Sequence, residues 1–232
     1  MVNYLKKFTT LFFRPSAFFT SVTEEKTYWP VLLYVAAALA ITNLVSTALG
    51  FPALLRSSGG VIAAIAFSFA GIFGGIVLAF VLPFIAAAIV HLGVLAVRGR
   101  QSFFNTFKPM AYSLLIAAGY NVVSAVLSLL LDLVFPINYA ALDEADTLIK
   151  VVTAVPLPHW ILGTLLFFAY LIHSLYFQVA GVSFFQKLSA LRAFVAVVAV
   201  PLVLAMILSA VAFFFILIAA VIIGAVVGGI TG

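Results

Sequence analysis

Apolar residues run along this chain in long uncharged stretches, separated by short connections that hold nearly all the charge. The first stretch, about 28–49, ends at Gly50-Phe51-Pro52 and is long enough for one membrane-spanning helix. The second, Val61 to Val97, has about 37 uncharged residues, or about 55 Å of helix, nearly twice the roughly 30 Å hydrocarbon core. Gly71, Gly74 and Gly75 offer a break, which predicts a span over about 75–97 preceded by an interfacial or re-entrant helix over 61–73. Pro109 opens a third span at about 110–135, and a fourth follows at about 159–182. No charge occurs after Arg192, so the last span, about 193–224, is expected as one long kinked helix or a hairpin broken near Pro201 or Ser209.

Residues 1–27 are too polar to span and form a separate amphipathic segment ahead of the bundle at 28–232. Leu5, Phe8, Leu11 and Phe12 fall at helical spacing, with Lys6 and Lys7 off that stripe. Pro15 suits the first turn of a second short helix, where its missing N–H costs little. The pattern predicts a broken helix in the headgroup layer, with Lys6, Lys7, Phe8, Phe12, Arg14, Phe18 and Phe19 contacting lipid. The alternative is a lid packed on the bundle. No apolar core and small-residue cleavage site mark this segment as a removable signal, so the first span is expected to be an uncleaved anchor.

Composition makes the membrane reading firm. Of 232 residues, 66% are hydrophobic and 7% charged, too few charges to cover a water-soluble globule. Strand-period alternation is absent, which disfavours a barrel. The expected fold is an all-α integral membrane protein, a five-span bundle with an N-terminal amphipathic interfacial helix. With five spans, Lys6, Lys7, Arg14, Lys26, Arg98, Arg100, Lys108, Lys187 and Arg192 fall on one side. Arg56 and Lys150 fall on the other, with the acidic Asp143, Glu144 and Asp146. That asymmetry predicts a cytoplasmic N-terminus.

Candidate chemistry is confined to polar groups inside the spans. His91, Tyr112, His173 and Gln178 lie toward the same side of spans two, three and four, where they could converge on one pocket that binds a headgroup or relays protons. The plainer reading is hydrogen bonding across helices, about 0.6 kcal/mol per pair. Asn43 and Asn121 lie deeper, and a central hydrogen-bonded strut is expected of them. Asp132, near the outer end of its span, is expected to reach the interface. Gly71-xxx-Gly75-xxx-Ala79 and Gly224-xxx-Gly228-xxx-Gly232 would let helix backbones approach closely, within one chain or in a homo-oligomer. No cysteine, no His-Glu-x-x-His and no phosphate-cradling glycine loop occur. Neither an enzyme, a metal nor a cofactor is expected, and nucleic acid is not an expected partner.

Several connections resemble those of the Yip family, the Ypt- and Rab-interacting membrane proteins. They are Phe13-Arg14-Pro15-Ser16-Ala17-Phe18-Phe19, His91 with Arg98-Gly99 and Ser102-Phe103-Phe104-Asn105-Thr106-Phe107, Ala111-Tyr112-Ser113, and Leu188-Ser189-Ala190-Leu191-Arg192-Ala193 with Pro201. The resemblance implies a polytopic membrane protein of trafficking type. Eukaryotic members bind prenylated GTPases and share an acidic, Gly-Pro-containing motif before the first span. Here that stretch reads Thr23-Glu24-Glu25-Lys26-Thr27-Tyr28-Trp29-Pro30, which lacks the motif and removes the basis for expecting GTPase binding. The chain looks like the short prokaryotic branch, in a prokaryotic cytoplasmic membrane. The function expected is a non-enzymatic, membrane-organising scaffold whose partners are lipids and another membrane protein or a second copy. The rival is a transporter or lipid-translocating protein using the polar cluster.

Overall fold

A computed structural model describes residues 4–57, 60–138 and 154–230. The acidic loop expected at 143–150 lies outside the described residues, as does Gly232 of the second small-residue row. All regular structure among the described residues is helical. Two short helices, α1 (Tyr4–Phe13) and α2 (Pro15–Ser21), precede α3 (Tyr28–Ser57), α4 (Val61–Ala96), α5 (Phe103–Val134) and α6 (Leu157–Gln186). The last run is α7 (Ala190–Phe194), a π-helical turn (Val195–Ala199) and α8 (Val200–Ile230). Five of these runs are long and apolar enough to cross a membrane, so the chain is an all-α membrane protein of the expected class.

Neighbouring helices are antiparallel, as their paired residues show. Tyr28 of α3 meets Phe84 of α4, and Asn43 meets Gly75. His91 of α4 bonds Thr106 of α5, while Tyr120 of α5 meets Tyr170 of α6. The N-terminal segment, the 97–102 connection and the 187–189 connection therefore share one end of the bundle, and with them most of its basic residues.

That end holds the core. In α5 the buried positions run from Thr106 to Ala118 and then stop, and in α6 they run from Ser174 to Gln186. Toward the opposite end only Ala64 and Ala154 are buried among the described residues. The large apolar side chains there, Leu133, Val134, Ile62 and Phe67 among them, point away from the protein. In water this would be untenable, but acyl chains solvate them as well as a protein interior does.

Two expectations about the helices need correction, and the alternative left open for the last run is decided. The break at Gly71–Gly75 does not occur, and Val61–Ala96 is one helix. Glycine weakens a helix by about 1 kcal/mol relative to alanine but leaves every backbone hydrogen bond available, and in lipid no other partner for those groups exists. Pro109 does not open the third helix but lies inside it, two turns from Phe103. Gly181 of α6 faces the proline ring so closely that an added Cβ would stand 2.5 Å from Pro109 Cβ. The final run forms no hairpin: neither Pro201 nor Ser209 interrupts α8. The π turn just before Pro201 instead widens the backbone where a proline clashes with the carbonyl four residues back.

The π turn also brings α4 against the last helix, because Gly93 lies directly on the Ala196 backbone. Gly93→Ala would force these helices apart and should cost about 1–3 kcal/mol by overpacking. Gly74 has open space where its Cβ would be, so Gly74→Ala should cause no loss. Thermal unfolding of the two variants in detergent checks the contrast.

Candidate functional site

The N-terminal segment is not spread over a membrane surface. Leu11, Phe18, Phe19 and Val22 are buried in the bundle. Pro15 starts α2, as its ring geometry favours, and the bend there lets both helices dock. Phe18 packs edge-on to Tyr112 and tilts against Phe177, and Phe19 meets Phe177, Phe184 and Phe185. Phe12 lies over Gly119 and edge-on to His173, with Phe8 beside it. Of the residues expected to contact lipid, Phe18 and Phe19 are therefore core residues, and Phe8 and Phe12 are half-buried. Lys6 and Arg14 stay exposed, as does Phe13. Aromatic side chains bury too much area to remain at an interface when a cleft of matching shape is within reach.

Two polar centres, the first part-buried and the second buried, hold this lid in place. In the first, Lys7 Nζ donates to Glu25 Oε1 at 2.8 Å, and the Tyr112 hydroxyl donates to the same carboxylate at 2.7 Å from Oε2. Lys7 also donates to the Tyr112 oxygen at 3.3 Å. Its ammonium stands 5.1 Å from the Tyr34 ring centre and 5.3 Å from that of Tyr112, within cation–π range. Four elements meet here: α1, the α2–α3 connection, α3 and α5.

In the second centre, Lys108 is 2% exposed. Its ammonium donates to the carbonyls of Val22 at 3.1 Å and Thr23 at 3.2 Å, just past the C-terminus of α2. A cation suits that position because the last carbonyls of a helix are unpaired and carry partial negative charge. The rings of Phe104 and Phe185, each 4.9 Å away, cover the charge from the sides.

The four residues expected to converge do not meet. His91 Nδ1 pairs with the Thr106 hydroxyl at 2.8 Å, and Gln186 Nε2 donates to the same hydroxyl at 2.8 Å. The Gln186 side-chain carbonyl has no hydrogen-bond partner among the described residues. Tyr112 belongs to the Glu25 centre. His173 sits among the rings of Phe12 and Tyr120, and Gln178 donates to the hydroxyls of Ser113 and Ser174, each at 3.2 Å. Helical phase separates them: residues at one depth face different neighbours. The strut fails likewise. Asn43 lies against Gly75 of α4, whereas Asn121 lines a separate hollow of about 200 Å³ between α5 and α6. Asp132 lies 3.6 Å from His159 at the far end of these helices.

Beside the Glu25 centre is a lateral groove of about 700 Å³, bounded above by Lys7, Phe8 and Glu25 and walled by α3. Leu33, Tyr34, Ala37, Ala38, Ile41 and Thr42 line it at the spacing of one helix face. Glu25, Thr106, Lys108 and Gln186 had no place among the sequence candidates. Lys108 was one more basic residue of a connection, and only its position before Pro109 in a helix reaching back to Phe103 puts it indoors.

Glu25→Ala would leave the Lys7 ammonium and the Tyr112 hydroxyl without their acceptor. It should cost about 2 kcal/mol, typical of lost charge-assisted bonds, and speed trypsin cleavage after Lys26. Lys7→Met added to Glu25→Ala should recover part of that loss by removing the unpaired cation. Melting midpoints and cleavage rates of both variants check this.

Comparison with curated proteins and with solved structures gives no match. The family model of the Yip1 domain matches residues 9–213, which takes in α2 to α7, the second half of α1 and about half of α8. The match covers most of the chain, and the chain belongs to the Yip1 domain family.

Proposed function

We propose that this protein is a non-enzymatic membrane-organising scaffold, set in a prokaryotic cytoplasmic membrane with its lid on the cytoplasmic side. The observation that carries the reading is the closed end of the bundle. α1 and α2 cover it, aromatic side chains fill it, and Lys7, Glu25, Tyr112 and Lys108 are tied to local partners.

The lid adds bulk to one end only. Its outer surface presents Lys6, Arg14 and Phe13, a pattern that attracts anionic lipid at about 1 kcal/mol per cation and seats a ring at headgroup level. Among the described residues the lid end is the broader, and a body of unequal breadth crowds the lipids of the two leaflets unequally. The basic residues at the lid end support the cytoplasmic orientation. A membrane-protein partner or a second copy would meet the exposed flanks of the long helices.

Reconstitution into vesicles with fluorescent phospholipids separates this reading from its rival. Expected are a protein-dependent change in vesicle size or shape and no faster loss of inner-leaflet label to dithionite. Rapid protein-dependent translocation would favour a lipid-translocating protein that uses the α3 groove. Orientation is checked in the cysteine-free chain by single substitutions Ser102→Cys and Thr147→Cys. The first should be labelled only from the cytoplasmic side and the second only from the other.

A further inference from the structure

The α3 groove has a length, a wall and a polar rim that together describe its occupant. From Pro30 to Thr42 it follows α3 for about 18 Å, close to the roughly 15 Å depth of one leaflet's hydrocarbon. Its volume, about 700 Å³, lies within the roughly 300–1,000 Å³ of small-molecule sites. The wall is aliphatic at Pro30, Leu33, Ala37 and Ile41, and Thr42 spends its hydroxyl on the carbonyls of Ala38 and Leu39. Nothing along the wall asks for a polar ligand. The rim does.

At the rim stand a cation and an anion side by side, each 18% exposed. Lys7 has three N–H groups and, among the described residues, donates to Glu25 and Tyr112, so one remains. Glu25 accepts from Lys7 and Tyr112, leaving capacity in a carboxylate with about four acceptor positions. An amphiphile complementary to this pair carries a phosphate for Lys7 and a hydrogen-bonding ammonium for Glu25. We infer that the α1–α3 groove binds one glycerophospholipid with a primary amine headgroup, the phosphatidylethanolamine type, its phosphate on Lys7, its ammonium on Glu25 and one acyl chain along Leu33, Ala37 and Ile41. A trimethylated choline head has no N–H to give Glu25, and a glycerol head brings no cation.

This inference rests on the reading of the groove as facing acyl chains and not on membrane shaping. It is tested by lipid retention, which shape changes do not affect. The full chain is purified in mild detergent, offered phosphatidylethanolamine, phosphatidylcholine and phosphatidylglycerol of equal chain length, and the retained lipid is counted by native mass spectrometry. One phosphatidylethanolamine should be retained at least about tenfold over the other two, the factor expected for one charge-assisted hydrogen bond. Ala37→Phe fills the groove from an exposed position without touching the core, and should abolish that preference in a chain with unchanged melting. Glu25→Gln should reduce the preference over phosphatidylcholine by a similar factor. Equal retention of the three lipids, or a preference that survives Ala37→Phe, would overturn the inference. If Glu25→Gln does not fold, Ala37→Phe decides alone.

Discussion

A carboxylate cut off from most water must be surrounded by donors, and in Glu25 that requirement ties three remote pieces of chain together. Its two donors are a lysine from the first turns of α1 and a tyrosine from the interior of α5. Glu25 itself sits where the chain leaves α2 for the first span. Satisfying it brings α1 back over α3 and holds α2 in the cleft between α5 and α6. The aromatic packing of Phe18 and Phe19 supplies most of the apolar burial there, but rings slide, whereas hydrogen bonds to one carboxylate fix a single geometry.

Lys108 does the same for α2 from below. A short helix of seven residues gains little from its own hydrogen bonds and needs its ends satisfied from outside. The lysine reaches its terminal carbonyls from α5, and two phenylalanine rings replace the water a charge would otherwise keep. A residue that sits among the basic connections, where it counts toward orientation, is thus also a structural cap. The two roles are compatible because the helix starts at Phe103, about two turns before the apolar stretch begins.

Element type and number were legible because they follow from run length and the absence of charge, which lipid imposes directly on sequence. Helix ends were less so. Gly50, Pro52, Gly71 and Pro109 all read as punctuation, and all lie inside helices. For the glycines the usual weakening depends on water competing for the backbone, and that competitor is missing here, while the prolines' freed carbonyls are accommodated within packed helices. The site was legible in parts. Lys7 and Tyr112 were both singled out, but for different purposes, since nothing in the local pattern says that a chain of 105 residues brings them within 3.3 Å. The fate of Phe18 and Phe19 was likewise undecidable from an amphipathic stripe, which suits a headgroup layer and a protein cleft equally.

The uneven distribution of the core gives the two halves of the bundle different mechanics. At the lid end the helices are spaced by interlocking side chains such as Gly93 on Ala196 and cannot move independently. At the other end few side chains of α4, α5 and α6 are buried among the described residues, and beyond contacts such as Asp132 with His159 the helices are held together loosely. Their splay is therefore a compliant coordinate. Thicker or stiffer bilayers would draw those legs together and thinner ones let them spread, so the resting shape of the molecule carries an imprint of the lipid in which it stands.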